Sequence, residues 1–213
     1  MAAGRQLKPT LDRLKRTSRQ ALRLATDAQA WCNRAGGGLT VTVSRRDLLV
    51  ELAYFQCYIA WEAFLESAFL LYLLGRTAPR GGPVHRYATP PTWDAAKEFV
   101  VPEGRSFASW AAADVVGRSE RFFRGGGPFL GPLSSRRALF EDARVLRNAV
   151  AHDSGSARKK FETLVRKKIG TLPAGLTVGA FLLTTDPAAS PPSRFLYGYV
   201  EAMETAASQI VPC

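Results

Sequence analysis

The stretch Arg147-Asn148-Ala149-Val150-Ala151-His152 closes a segment that has the hydrophobic period of an α-helix. From near residue 134, apolar side chains recur at i, i+4, i+7 and i+11, and they predict one core-facing stripe: Leu139, Ala143, Leu146 and Val150. The arginine, asparagine and histidine of the stretch fall off this stripe, so we expect them to point away from the core. Turn and capping residues follow at 153–156 and end the helix. The stretch therefore predicts a cation, an amide and an imidazole presented together at a helix end.

These side chains suit the cleavage of RNA through its ribose 2′-hydroxyl. An imidazole, whose unperturbed pKa is about 6.5, can both take and give a proton near neutrality. A guanidinium stays charged and offers a planar fork of donors that matches phosphate oxygens. Together, Arg147 and His152 could deprotonate the 2′-hydroxyl and stabilise the negative charge on the adjacent phosphate without a metal ion.

The spacing of the arginine and the histidine is not specific by itself. The other histidine of the chain, His85, also lies five residues after an arginine, Arg80. Residues 80–85 are rich in Gly and Pro, however, so they predict a solvated loop rather than a helix end. It is the helical context that distinguishes the stretch 147–152.

In that context, Leu146–His152 resembles the hallmark of the HEPN superfamily, in which an arginine, a polar residue and a histidine end a helix of a small bundle. Two further stretches, 51–66 and 194–211, are similar to the RiboL-PSP-related branch of that superfamily. The resemblance spans residues 45–211 and implies an all-α fold, frequent homodimerisation and, in many members, metal-independent RNA cleavage. Some members have lost this activity. The resemblance implies catalytic roles for Arg147 and His152, with Asn148 positioning one of them or the substrate.

The charge balance favours an anionic partner. The chain of 213 residues has 29 Lys and Arg against 18 Asp and Glu, a net charge of +11, which is typical of proteins that bind nucleic acid or an anionic membrane surface. The excess gathers around the motif, since residues 105–170 hold 14 Lys and Arg against 6 Asp and Glu. This distribution favours RNA, although an arginine-rich coding background would also produce a basic chain.

The N-terminal part predicts a basic helix from Thr10 to Asn33. Its apolar side chains share one face, and the other face carries four arginines, Arg13, Arg16, Arg19 and Arg23. That second face either follows a phosphate backbone or is simply solvated. Gly36–Gly38 ends this part. Residues 1–9 contain no apolar run and the three cysteines have no paired spacing, so we expect a cytoplasmic protein without a signal peptide.

Residues 44–74 predict the central buried helix of a bundle. Ser44–Asp47 has the pattern of a capping box at its start. The run is long and apolar enough to cross a membrane, but Glu62 and Glu66 count against this, because a carboxylate at a bilayer centre costs about 2.5–3.5 kcal/mol. Two interpretations of these glutamates stay open: they orient the guanidinium of the motif, or they lie at a dimer seam or pair with surface arginines.

A second basic helix is predicted after the motif, over Ala157–Ile169. It offers three candidate RNA-binding residues, Arg158, Lys159 and Lys160, while the motif helix offers Arg144 as a possible supporting residue. Residues 172–183 fit either a packed strand or an extended return, and 194–211 predict the last helix. No His, Cys, Asp or Glu residues have metal-ligand spacing and no cofactor fingerprint is present, so we expect neither a metal nor a cofactor.

Taken together, these patterns predict one all-α domain over 1–213, a bundle of five to seven helices in which a basic helix within 1–38 packs on a 44–211 core. The predicted function is a metal-independent endoribonuclease, by resemblance a toxin or anti-phage effector restrained by an antitoxin or defence partner. The alternative is a non-catalytic module that binds nucleotide or a partner protein. Association with a membrane surface would explain the charge but not the motif.

The active unit is expected to be a homodimer with a composite site. One chain supplies a single imidazole, and on an ideal helix Arg147 and His152 are separated by about 140° of azimuth. A two-fold axis would bring two Arg-His sets into one basic cleft. The alternative is a monomer whose helix breaks at Ala151 and lets the histidine return toward the arginine.

Overall fold

The structure, a computed structural model, describes residues 6–33 and 40–213, and within these ranges it contains α-helices and no β-strand. The α-helices of the described residues are α1 Leu7–Asn33, α2 Val43–Leu73, α3 Trp93–Val100, α4 Ala112–Phe122, α5 Leu130–Ser134, α6 Arg137–Ala151, α7 Gly155–Ile169, α8 Val178–Leu183 and α9 Phe195–Ile210. The prediction of an all-α protein is confirmed. Six of these helices have eleven or more residues, and the three short ones, α3, α5 and α8, bring the number among the described residues to nine, against the five to seven predicted.

The chain divides into two compact units. The first contains the described part of Met1–Lys15, Ala60–Glu141 and Ala202–Cys213, and the second contains Arg16–Ile59 and Asp142–Glu201. The motif residues 147–152 belong to the second unit. The single domain over 1–213, with a helix within 1–38 on a 44–211 core, stays a prediction. Gly36–Gly38, expected to end the N-terminal part, lies outside the described residues.

An aromatic cluster forms the core of the first unit. The ring of Phe69 is fully buried, and its centroid lies 4.9–6.0 Å from the rings of Trp110, Phe122, Phe123 and Phe129. Each such pair contributes about 0.5–1.5 kcal/mol beyond the burial of its area. The cluster therefore ties α2 to α4 and to the segment that precedes α5.

The buried side of α6 differs slightly from the predicted stripe. Ala143 and Leu146 are buried as predicted, but Val150 is only half-buried, and Phe140 is buried in place of Leu139, which is also half-buried. Phe140 takes the core position because its ring stacks on that of Trp61, with 5.3 Å between centroids. Periodicity alone does not show which of two neighbouring apolar residues has a partner to stack on.

A row of rings connects α7 to α2 within the second unit. Neighbouring centroids lie 4.5–6.4 Å apart along the row Phe161, Phe181, Phe195, Tyr199 and Tyr54. At the end of the row, the buried Tyr54 hydroxyl donates a hydrogen bond of 2.7 Å to the Ala143 carbonyl. Burial raises the pKa of Tyr54 well above its ordinary value, so the hydroxyl keeps its proton. This bond joins α2 to the motif helix four residues before Arg147.

The start of α8 packs directly on the start of α2. Thr177 accepts a hydrogen bond from the amide of residue 180, 3.0 Å, and its hydroxyl donates to the carboxylate of the buried Asp47, 2.8 Å. The amide of Gly179 donates to the Glu51 carboxylate, 2.9 Å, and burial raises the pKa of that carboxyl. Two acidic side chains one turn apart thus satisfy the free groups at the start of α8.

Two local predictions near this contact are wrong. Residues 172–183 form neither a strand nor an extended return but contain α8, whose start depends on acidic partners 128 and 130 residues away in sequence. Ser44–Asp47 is not a capping box: the Arg45 amide donates to the Thr42 hydroxyl, 3.3 Å, and Asp47 faces α8 instead. A capping pattern cannot predict that its acid has a distant partner.

The central helix α2 is apolar but not fully covered. By length and composition it is the one described helix that could cross a membrane, and 44% of its most apolar window is buried. The core helix of a soluble protein passes the same test, so this is weak evidence for a membrane span. Several apolar side chains of α2 stay exposed, among them Leu48, Leu52 and Ile59.

Replacing Gly179 with alanine is expected to destabilise the protein. A Cβ at Gly179 would lie 2.2 Å from the Asp47 carbonyl oxygen. This oxygen belongs to the backbone of α2, so it cannot move away by a side-chain rotation. We expect a loss of about 1–3 kcal/mol in the free energy of unfolding, measured by urea denaturation. The matched control is Gly198→Ala in α9, where nothing lies within 4 Å of the new Cβ, and which should be neutral or stabilise by about 0.5–1 kcal/mol. Equal effects of the two substitutions would contradict the close contact of α8 with α2.

Candidate active site

The motif lies at a sharp corner between two helices. α6 ends at Ala151, and the His152 amide still donates to the Asn148 carbonyl, 3.0 Å, in the i to i−4 pattern of the helix. α7 begins at Gly155, where the Ser154 hydroxyl caps it by accepting from the amide of residue 157, 3.2 Å. Only residues 152–154 connect the two helices, so both helix ends fix the position of the exposed His152.

Arg147 and Asn148 act as a pair. Arg147 Nη1 donates to Asn148 Oδ1, 3.1 Å, and the guanidinium carbon lies 5.8 Å from the centroid of the Phe55 ring on α2. Both motif residues are half-buried, so the expectation that they point away from the core is only partly correct. The aromatic ring explains the difference, because a cation over a ring gains about 0.5–2 kcal/mol, depending on how far it is desolvated.

The helix register places Arg147 and His152 on different sides of α6. The hydrogen bond to the His152 amide shows that the helical path continues to this residue, so their separation stays near 140°. Arg147 is on the side that faces Phe55. His152 is instead in register with Asp142 and Val145, which lie ten and seven residues before it, within about 80° of azimuth. A break of the helix at Ala151 that returns the histidine toward the arginine is not seen in the backbone.

The acidic residues expected near the guanidinium are arranged differently. Glu66 forms an ion pair with Lys97 of α3, 3.4 Å, so its partner is a lysine and not one of the surface arginines of the second interpretation. Glu62 is half-buried and belongs, like Glu66, to the first unit, so its role beside Arg147 stays a prediction. Arg144 is exposed on α6.

The three candidate RNA-binding residues of α7 separate into two groups. Arg158 forms an ion pair with Glu162, 2.9 Å, and its guanidinium lies 5.8 Å from the centroid of the Phe161 ring. Lys159 and Lys160 instead line a groove of about 610 Å³ between α6 and α7, a volume typical of ligand sites. The contacts of Arg158 are therefore with residues of its own helix, whereas the two lysines line the groove.

The groove includes residues that the sequence interpretation did not single out. Its α7 side is formed by Gly155, Ser156, Lys159, Lys160, Thr163, Leu164 and Lys167, and its α6 side by Asp142 and Val145. From Ser156 onward the α7 residues recur at i, i+3, i+4, i+7, i+8 and i+11, which is one face of a helix. The same helical spacing in the sequence 155–169 places Lys167 on one face with Lys160, so the sequence could have indicated Lys167 as a further candidate.

One buried acid lies in the wall of the groove. The Asp142 side chain is buried, and its carboxylate pairs with Lys168 Nζ at 2.7 Å and, more loosely, with Lys167 Nζ at 4.0 Å. Because Lys168 already neutralises this acid, the lysines that line the groove set its net positive charge.

Within 6–33 and 40–213, no three His, Cys, Asp or Glu side chains are grouped closely enough to hold a metal ion. Comparison of the chain with protein-family models, with curated proteins and with solved structures gives no match.

Proposed function

We propose that this protein is a metal-independent endoribonuclease of the HEPN type. The observation that carries the proposal is the preorganised guanidinium of Arg147 on α6, which is held by Asn148 and by the Phe55 ring of α2 and lies shortly before the exposed His152. A planar cation in a fixed, half-buried position is suited to a phosphate whose charge grows during reaction. The resemblance of the motif suggests a toxin or anti-phage effector held in check by a partner protein.

The proposed reaction needs no group beyond these side chains, a second imidazole from the His152 of another copy, and the substrate. His152 takes the proton of a ribose 2′-hydroxyl, and the 2′-oxygen attacks the adjacent phosphorus while the bond to the 5′-oxygen breaks. Arg147 stabilises the negative charge on the non-bridging oxygens, and Asn148 keeps the guanidinium in place. A second acid donates a proton to the leaving 5′-oxygen. The products are a 2′,3′-cyclic phosphate and a 5′-hydroxyl.

Cleavage of RNA by the purified protein is expected to continue in EDTA and to disappear in His152→Ala. The substitution removes the proton-transfer group at an exposed position, so the fold should survive it. General acid–base catalysis contributes about 10²–10⁴-fold, which sets the expected loss in rate. The measurement is electrophoresis of total RNA with analysis of the product ends. Products with a 5′-phosphate, or inhibition by EDTA, would contradict the mechanism.

Arg147→Lys is expected to lose most of the activity. Lysine keeps the charge but lacks the planar fork, so it cannot bind a phosphate and Asn148 in the same geometry. We expect at least about a tenfold fall in cleavage rate, comparable to the loss of an electrostatic contact to the transition state. Circular dichroism should show an unchanged helix content. A Lys variant as active as the wild type would mean that only generic charge is needed at position 147.

A composite site in a homodimer fits the divergence of the two residues within one chain. Arg147 faces Phe55 while His152 lies about 140° away on the same helix, so one copy does not direct both toward one phosphate. Two copies related by a two-fold axis would supply two imidazoles, one as base and the other as acid. The proposal of a dimer therefore rests on the register of α6.

The surface proposed for this dimer is the exposed apolar stripe of α2. Leu48, Leu52 and Ile59 are exposed by 53%, 46% and 42%, and Phe55 completes the stripe as a half-buried residue. The intervals between consecutive residues of the stripe are four, three and four residues, which is the same series in either direction along the helix. In an antiparallel pair of α2 helices, Leu48 would therefore face the Ile59 of the other copy. Phe55 connects the stripe to Arg147.

Leu52→Asp is expected to convert a dimer into a monomer and to abolish cleavage. A carboxylate at the centre of an apolar contact would be desolvated without a partner. Light scattering measures the mass, and Phe107→Asp is the control, because Phe107 is more exposed and lies outside α2.

A composite site also predicts the result of mixing two inactive variants, Arg147→Ala and His152→Ala. The mixed dimers should have an activity that differs from the mean activity of the two variants measured separately. A wild-type protein that is monomeric and fully active would contradict the composite site.

A further inference from the structure

We propose that the groove between α6 and α7 is a nucleotide subsite, which binds single-stranded RNA next to the scissile phosphate. The backbone phosphates would lie on Lys160 and Lys167, with Lys159 at the edge, and a base would lie on the apolar floor. This inference rests on the proposed function and deepens it by naming where the substrate binds.

The lysines are arranged along one line of α7. Lys160 and Lys167 are seven residues apart, which places them within about 20° of azimuth and two turns apart along the helix. Both are exposed at their helical positions and both line the groove. A line of ammonium groups along an open groove complements a polyanionic strand rather than a single compact anion.

The wall and floor of the groove add a second kind of contact. Val145 of α6 and Leu164 of α7 provide apolar surface beneath the lysines, and Thr163 provides a hydroxyl. A nucleobase has an apolar face and polar edges, so this combination suits a base better than it suits a phosphate alone. The groove volume of about 610 Å³ lies within the range of about 300–1,000 Å³ found for small-molecule sites.

The buried acid does not oppose an anionic ligand. Asp142 is paired with Lys168 at 2.7 Å, so the acid is neutralised within the protein. Lys167 Nζ is 4.0 Å from the same carboxylate, a looser contact, and the Lys167 side chain stays exposed. Three lysines against one neutralised acid give the groove a positive potential.

The groove leads toward the proposed proton-transfer group. Asp142 and Val145 line it from α6, and His152 falls on the same side of that helix, at the last helical hydrogen bond. Gly155, three residues later, lines the groove from the start of α7. A strand lying in the groove would thus pass close to the corner that carries His152, whereas Arg158 is on the far side of α7.

Binding of an uncleavable RNA separates this subsite from the catalytic proposal. The probe is a fluorescent single-stranded RNA with 2′-fluoro groups in place of 2′-hydroxyls, and anisotropy is measured at several salt concentrations. The groove variant is Lys160→Gln/Lys167→Gln and the control is Arg158→Gln/Arg166→Gln, which removes the same charge from exposed positions of the same helix that do not line the groove. Circular dichroism verifies the fold of both.

The groove variant is expected to bind the RNA about tenfold more weakly and to reduce the slope of log affinity against log salt by about 1.4, since each lost phosphate contact contributes about 0.7. The control should change much less. Inorganic polyphosphate should compete poorly at equal phosphate concentration, because it has no base. Equal losses in the two variants, equal competition by polyphosphate, or selective loss of binding to phosphatidylserine vesicles in the groove variant would each overturn the assignment.

The two proposals can fail independently. If the groove variant loses RNA binding while the wild type cleaves no RNA, the proposed subsite is supported and the proposed nuclease activity is contradicted. If the wild type cleaves RNA but both variants bind the probe alike, the nuclease stands and the groove is not its subsite.

Discussion

The hydrogen bond from the Tyr54 hydroxyl to the Ala143 carbonyl fixes the motif helix on the central helix. In an α-helix the carbonyl of residue 143 also accepts the amide of residue 147, so Tyr54 anchors the turn that carries the arginine. Phe55, the next residue of α2, lies against the guanidinium itself. Two consecutive residues of one helix therefore fix both the backbone and the side chain of Arg147. The position of this cation depends on that double contact.

Long-range contacts mark the limit of what the sequence could predict. The periodicity of 3.6 residues indicated the long helices because each buries an apolar stripe, and the last helix, expected at 194–211, is Phe195–Ile210. The short α8 carried no such signal, since its start depends on Asp47 and Glu51. At the site, the motif could be recognised in the sequence, but not the contact of Arg147 with a ring 92 residues away.

Composition does not show which basic side chains of the chain are buried or paired and which are available to a partner. Arg118 is buried, with its guanidinium 4.6 Å from the centroid of the Trp110 ring, and burial lowers its pKa from the ordinary value. Arg158 is paired with Glu162 on its own helix. Arg118 is withdrawn from solvent and the charge of the exposed Arg158 is partly balanced by Glu162, so neither offers a full free charge to a partner in solution. The net charge of +11 therefore overstates the positive surface that could attract a polyanion.

The short corner between α6 and α7 has a consequence for control of the proposed activity. Only residues 152–154 lie between the two helices, so His152 is close in sequence to the start of the helix that carries the groove lysines. An acidic protein that docks along α7 would cover the proton-transfer group and the substrate path together. Such an inhibitor would act by occlusion alone, without distorting either helix, and its removal would restore a fully formed site at once.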